Sequence, residues 1–490
     1  MKKLNLLLIA CLVAFMGYAQ PATDPGVYNP MEDGMFTFEN KWLVSPLAPL
    51  ENMEGAWAFP VGNFARNMVL RDGILYFAHR TGDAHLILRM DAATGDIIDT
   101  VDFEGTPIAG ITGFHFQDLK LDCAGNLILA NMMLSQNTRT QMWVLDMDNP
   151  ANSHLILDDT VRDIWIDLVG VDDEGNPNVA VPVVRVDFFG FYGNMLEDGI
   201  ILGANAGAAQ HNVLVWHVEN GQARWCAETG FINVAVPQPG MIQTLTAFGT
   251  APTAQPISRD LFYLNFASQP PLLMFIDYDE LEATVAGSLW ADYANEDGLL
   301  NMDNFRTPQG IMEFRLRGDY FLLVPYRNWT APNNLTFRLI RFDDEGRSFA
   351  DIHPMWEFPL MGLGHVGGAA VGVFGVEVDD RCGEEYGTAT IAVYVVGNGF
   401  GVYILTSRRP YDECGVSVPG VYGDTMSIFV NGNVVTTPAT VATIAVFNVL
   451  GQQVLTAVNT NEVTIPASGV FVVRATTLEG QTVTQKVIVR

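Results

Sequence analysis

Met68-Val69-Leu70-Arg71-Asp72-Gly73-Ile74-Leu75-Tyr76-Phe77 reads as two short β-strands joined by a tight turn. Asp-Gly between β-rich runs is a strong hairpin signal, because glycine takes positive φ without steric cost. The same texture returns at 119–129 around Gly125, at 195–202 around Gly199 and more faintly at 258–264 around Asp260. It returns again at 314–323, turning at Arg317-Gly318-Asp319, and at 376–394, where a longer turn holds Cys382. Positions 73, 125, 199, 260, 318 and 387 mark these turns, at intervals of 52 to 74 residues. Each unit runs on into a third apolar strand, at 86–90, 142–145, 213–218, 272–276, 336–342 and 401–405. Several then turn into a fourth, as at 96–98 and 222–225.

Four antiparallel strands repeated six times predict an all-β chain whose body, 51–412, is a six-bladed β-propeller. One four-stranded sheet cannot bury both faces alone, so such sheets stack around an axis and leave only short edges. An array of β-sandwiches is the other arrangement this pattern allows; the intervals are too long and uneven for a β-helix. The best helical candidate is the short stretch 279–293. Residues 20–50 carry no clear periodicity and are read as an N-terminal extension or a closing segment.

The chain has 490 residues, 49% of them hydrophobic, and a formal charge of −29. A field of that sign repels nucleic acid and anionic lipid, so nucleic-acid binding is not expected. It also serves plain solubility. The first residues have the three parts of a signal peptide: basic Lys2 and Lys3, an apolar run over 4–16, and Gly17-Tyr18-Ala19 before Gln20. A lipobox ending at Cys11 is the rival, but apolar residues continue past Cys11 to Met16, which favours cleavage between Ala19 and Gln20. No later stretch reaches the roughly 18 uninterrupted apolar residues of a transmembrane helix. Cys123, Cys226, Cys382 and Cys414 form no CxxC pair. Cys382 and Cys414 bracket the last repeat and are the candidate disulfide, with unpaired buried thiols as the alternative.

Near residue 413 the composition changes. From 416 to 490 there are three acids (Asp424, Glu462, Glu479) and three bases (Arg474, Lys486, Arg490), so the acidic excess lies in the body. This segment is dense in Val and Thr, with an alternation suited to a small β-sandwich. Within it, 443–454 (TIAVFNVLGQQV), 465–474 (IPASGVFVVR) and 480–490 (GQTVTQKVIVR) follow one another to the last residue. Their order and spacing resemble the type A C-terminal sorting domain of type IX secretion cargo from Bacteroidota. Leu450-Gly451, Gly469 and Lys486 stand at its motif positions, while the family's usual opening segment is replaced by 426–432. The resemblance covers about 75 of the 490 residues. It implies an immunoglobulin-like sandwich over 413–490, recognition by the type IX machinery, and passage of the body to the outer surface, often with loss of this domain. Cargo of this kind includes proteases, glycosidases, adhesins and binding proteins, so the address does not name the activity.

In a propeller the loops after each second strand gather around the axis. The repeat places His79 and Arg80, then Asn131, Asn205, Asn265, Asn328 and Asn398, at those points. Amides there could read sugar hydroxyls, or could simply satisfy loose backbone at strand ends. Tyr326-Arg327-Asn328-Trp329 would suit stacking on a sugar or clamping a peptide, or packing on a neighbouring sheet. No Gly-x-Ser-x-Gly, His-Glu-x-x-His or P-loop pattern occurs, and no cofactor is expected. The stretches 146–149 (DMDN) and 172–176 (DDEGN) resemble calcium loops without the full ligand spacing. A glycan- or protein-binding surface module is therefore the expectation, with a propeller-based glycan hydrolase or lyase as the alternative.

Overall fold

The computed structural model describes residues 26–27, 35–44, 67–78, 85–110, 116, 118–179, 185–205, 212–225, 230–234, 253–265, 271–288, 310–327, 335–342, 352–359, 372–381, 384, 386–395, 399–409, 429–431, 433–448, 453–466, 469–476 and 482–489. The chain divides into two compact units, Met1–Asp412 and Glu413–Arg490. It is mostly β.

The first unit begins with β1 (Gly26–Val27) and β2 (Phe36–Val44). Its first sheet is β3 (Met68–Arg71), β4 (Ile74–Ala78), β5 (Leu86–Asp91) and β6 (Ile97–Asp102), antiparallel in sequence order. At the β3–β4 turn Asp72 and Gly73 both take positive φ, 53° and 70°, which fits the right-handed strand twist. The second sheet is β7 (Asp118–Leu121), β8 (Leu127–Ala130), β9 (Thr140–Val144) and β10 (His154–Asp159). Helix α1 (Val161–Val169) follows. Thr160 caps it by accepting the Asp163 N–H at 3.1 Å, and Gly170 at φ 73° ends it.

Next come β11 (Phe189–Gly193), β12 (Gly199–Ala204), β13 (Asn212–Glu219) and β14 (Gln222–Trp225). The segment 195–198, which the sequence suggested as strand, is the turn between β11 and β12. Strand β15 (Phe231–Val234) bonds to β13 and, in parallel, to the last strand of the following set. That set is β16 (Thr253–Pro256), β17 (Leu261–Asn265), β18 (Leu272–Asp277) and β19 (Glu282–Ser288). The helix expected over 279–293 is not formed at its described positions. Asp277 Oδ1 accepts the N–H groups of Asp279 and Glu280 at 3.0 and 3.1 Å, Leu281 sits at φ 54°, and residues 282–288 pair with β18. Pairing with a neighbour overrides the local preference of the Glu/Leu/Ala-rich stretch.

The next sheet holds β20 (Met312–Leu316), β21 (Asp319–Arg327), β22 (Leu335–Phe342) and β23 (Ile352–Pro359), with β1 on the edge of β23. The last holds β24 (Gly372–Asp379), β25 (Gly387–Val395) and β26 (Gly399–Ser407). Its fourth strand is β2, antiparallel to β26 from Phe36↔Ser407 to Val44↔Phe400. The N-terminal end of the unit therefore completes its C-terminal sheet.

Apolar clusters lie between successive sheets. Val69, Phe103, Leu127 and Trp143 join the first to the second, and Met142, Phe189 and Trp216 join the second to the third. Leu202, Val215, Phe262 and Met274 continue to the fourth, Tyr263, Leu322 and Ile340 to the fifth, and Phe321, Phe337, Phe374 and Leu405 to the last. A further cluster of Trp42, Leu75, Phe77 and Tyr394 returns from the last sheet to the first. Among the described residues each sheet thus has an apolar neighbour on both faces. The first strands approach closely. A Cβ on Gly190 would lie 2.1 Å from the Ala254 carbonyl oxygen, and one on Gly375 would lie 2.7 Å from the Leu70 nitrogen.

The second unit contains β27 (Phe429–Asn431), β28 (Val434–Asn448), β29 (Gln453–Thr464), β30 (Gly469–Thr476) and β31 (Thr482–Val489). The described strands are joined through β28 into one hydrogen-bonded sheet, ordered β27-β28-β30-β31 with β29 also on β28. The β28–β29 ladder skips from Thr436 to Val441 across Pro438, which has no N–H to give. Val435, Ile444, Val446, Phe471 and Val473 form its core.

Candidate functional site

The first strands β3, β7, β11, β16, β20 and β24 are each the end strand of a four-stranded set. They meet around a cavity of about 340 Å³ that is open to solvent. Asn67 before β3, Lys120 on β7, Phe188 before β11, Gln255 on β16, Met312 on β20 and Phe374 on β24 all line it. Every set thus contributes to one wall, which is where a ring of sheets leaves space along its axis. The volume falls in the range of small-molecule sites, about 300–1,000 Å³.

The wall is mainly apolar, with Asn67, Lys120, Thr253 and Gln255 as its polar side chains. Beside it, buried Asp118 at the head of β7 ties three sets together. Its carboxylate accepts the Asn67 side-chain amide from one side and the Phe189 N–H, at 2.7 Å, from the other. Burial pushes the Asp118 carboxyl up; the charge of Lys120 and these two hydrogen bonds pull it part of the way back. Lys120 and Gln255 are half-buried, and neither makes a hydrogen bond or ion pair among the described residues. Arg185 and buried Asp187 form an ion pair just before β11, with Arg185 Nη2 2.9 Å from Asp187 Oδ2.

The asparagines at the second-strand ends occupy equivalent places without forming a cluster. Asn131, Asn205 and Asn265 are fully buried. The Asn131 amide gives a hydrogen bond to the Arg139 carbonyl at 2.9 Å and accepts the Gln141 N–H at 2.8 Å, tying β8 to β9. Asn205 accepts the Arg185 N–H at 3.2 Å and donates to Asn212 Oδ1 at 2.9 Å. Asn265 donates to the carbonyl of Gly310, itself a lining residue, at 3.0 Å. All three hold the strand ends around the cavity through backbone contacts. His79, Arg80, Asn328, Trp329 and Asn398 lie outside the described residues, and Tyr326 and Arg327 are described only as backbone of β21.

The acidic stretches serve their own turns. Asp146 Oδ1 accepts the N–H groups of Asp148 and Asn149, and Asp172 Oδ1 accepts those of Glu174 and Asn176. Among the described residues no three His, Cys, Asp or Glu side chains are grouped to hold a metal ion. Cys123 is a free thiol whose Sγ accepts the Gly193 N–H at 3.3 Å, while Cys226, Cys382 and Cys414 lie outside the described residues. So do Ala19, Gln20, Leu450 and Gly451; Gly469 and Lys486 are described only as backbone of β30 and β31.

Sequence reasoning missed Asn67, Lys120 and Gln255. The available signal was a polar residue at the head of each first strand, as in Asn67-Met68, Asp118-Leu119-Lys120 and Thr253-Ala254-Gln255.

The solved structures that share this architecture include propeller proteins. A DUF4623 family protein from Bacteroides eggerthii is 11% identical, with 77% of this chain and 78% of that chain covered and a TM-score of 0.51. A Trypanosoma rangeli sialidase in complex with sialic acid is 8% identical over 86% of this chain and 85% of that chain, with a TM-score of 0.34. The Dos1 propeller is 10% identical over 69% and 78%, with a TM-score of 0.31. At such identities the likeness concerns fold alone. No family profile matches the chain, and no curated protein matches it.

Proposed function

We propose that the first unit is a six-bladed β-propeller that binds glycan or protein at the cell surface, and that its axial cavity is the ligand site. The clusters between successive sheets, with the last returning to the first, support closure into six blades. One observation carries the binding role: every first strand contributes to a single cavity of small-molecule size, with polar and aromatic groups on a mostly apolar wall. A glycan hydrolase or lyase would need two carboxylates there, and the described lining holds none. The test is a glycan-array screen of the full chain beside the cavity-filling variant Gln255→Trp. Binding that the variant abolishes is the expected result; binding that the variant leaves intact moves the site elsewhere.

We further propose that residues 413–490 are a type IX sorting domain with an immunoglobulin-like fold, acting after export directed by residues 1–19. The motifs around Leu450-Gly451, Gly469 and Lys486 support this reading. A mature N-terminus at Gln20, and retention in the periplasm when 413–490 is deleted, are the results that would bear it out.

A further inference from the structure

We infer that the axial cavity selects an anionic sugar, a uronate, with Lys120 and Gln255 anchoring its carboxylate. The inference rests on the cavity being the ligand site and goes on to name what enters it. Lys120 is the one charged side chain in the described lining, in a chain that carries 55 acids and 26 bases. Surface lysines in so acidic a protein are readily neutralised by neighbours. Lys120 is half-buried and has no ion pair among the described residues. The carboxylate it acts on electrostatically, Asp118, already has its oxygens engaged by the Asn67 amide and the Phe189 N–H. Sequestering an ammonium from water without a partner is unfavourable, and a bound anion removes that penalty.

Gln255 is the second polar lining group without an internal hydrogen bond among the described residues. Its amide supplies N–H donors that a carboxylate accepts. The rest of the wall, with Phe188, Ile311, Val373 and Phe374, is apolar and partly aromatic, as the faces of a sugar ring require. A volume of about 340 Å³ admits a small ring and excludes a folded partner. The overall charge of −29 repels anions at a distance, so selection for one has to come from this local pair.

The experiment is calorimetric titration of the full chain with digalacturonate and with neutral galactobiose, in the wild type, Lys120→Gln, Lys120→Arg and Gln255→Trp. Digalacturonate should bind, weaken roughly 10- to 100-fold in Lys120→Gln, and recover largely in Lys120→Arg. Galactobiose should bind weakly and equally in the wild type and both Lys120 variants. If Lys120→Gln does not fold, Gln255→Glu, which places a carboxylate beside the ammonium, should abolish digalacturonate binding instead. Uronate binding no tighter than neutral binding, or unchanged in Lys120→Gln, overturns the anionic ligand and leaves the cavity reading in place so long as Gln255→Trp still blocks. Binding that survives Gln255→Trp, or no binding of either sugar, overturns this inference; survival in Gln255→Trp also removes the cavity reading on which it rests.

Discussion

Strands β8 and β12 are buried along their whole length, whereas β29 exposes most of its residues. All three are built from β-favouring side chains, yet β8 reads LILA and β12 GIILGA while β29 reads QVLTAVNTNEVT. A strand with neighbours on both faces of its sheet can be apolar at every position; one with a single covered face must alternate. The two units therefore bury their sheets in different ways. Stacking in the first unit lets thin sheets share apolar clusters, and its weak points should lie between sheets. In the second unit one core of Val, Ile and Phe covers one side, and side chains off that core should matter little.

Trp216 tests the first half of that contrast. It is fully buried between the second and third sheets, its ring edge-on to Phe189 at a centroid distance of 5.8 Å and an angle of 68°. Trp216→Ala should destabilise the unit by about 3–5 kcal/mol in urea unfolding. A loss below about 1 kcal/mol would show that the sheets do not depend on their mutual contacts, and the contrast would fail.

Asp118 sharpens the comparison, since it ties three successive sets by polar contacts at the heads of their first strands. In Asp118→Asn one carboxylate acceptor becomes an amide donor facing another donor, at a cost of about 1–3 kcal/mol. The pH dependence has a definite sign. Burial holds the folded carboxyl above its ordinary range, so the native state keeps this proton over a window in which the unfolded chain has lost it. The Asp118 contribution is full below the unfolded pKa, near 3.9, and is lost as pH rises through the higher folded value. The gap between wild type and Asp118→Asn, followed by urea unfolding across pH, should be widest at the acid end and narrow upward. A gap that widens with pH would mean a carboxylate stabilised in its ionised form.

Much of the repeat was legible because both-face burial leaves solid apolar runs. The third strands expected at 86–90, 272–276 and 336–342 are Leu86–Asp91, Leu272–Asp277 and Leu335–Phe342. Asp91 and Asp277 close these runs by accepting two N–H groups of the turns that follow, and Asp146 does the same just after β9. The recurring acid was visible in the sequence but was not counted as part of the repeat. Helix α1 escaped because it has only nine residues, although Thr160 and Asp163 form its cap and Val161, Ile164 and Trp165 its inward stripe. The cavity wall was harder to foresee. Lys120 and Gln255 sit in separate repeats, 135 residues apart in the chain, and they meet only because the sheets stack in order. Local pattern marks strands well; it does not say which strand heads will share a space.

Val458 on β29 should give the smallest effect. Its side chain is 65% exposed, and Val454 on the same strand is 46% exposed. Neither belongs to the cluster formed by Val435, Ile444, Val446 and Phe471. Val458→Ala should change the stability of the full chain by less than about 0.5 kcal/mol, since truncating an exposed side chain removes little buried area. The measurement cuts both ways. A cost above about 1 kcal/mol would mean that this face is covered in the intact protein, because only lost burial or a new cavity makes a valine truncation that expensive. The second unit would then bury both sides of its sheet, and the distinction drawn between β29 and the fully buried β8 and β12 would no longer hold.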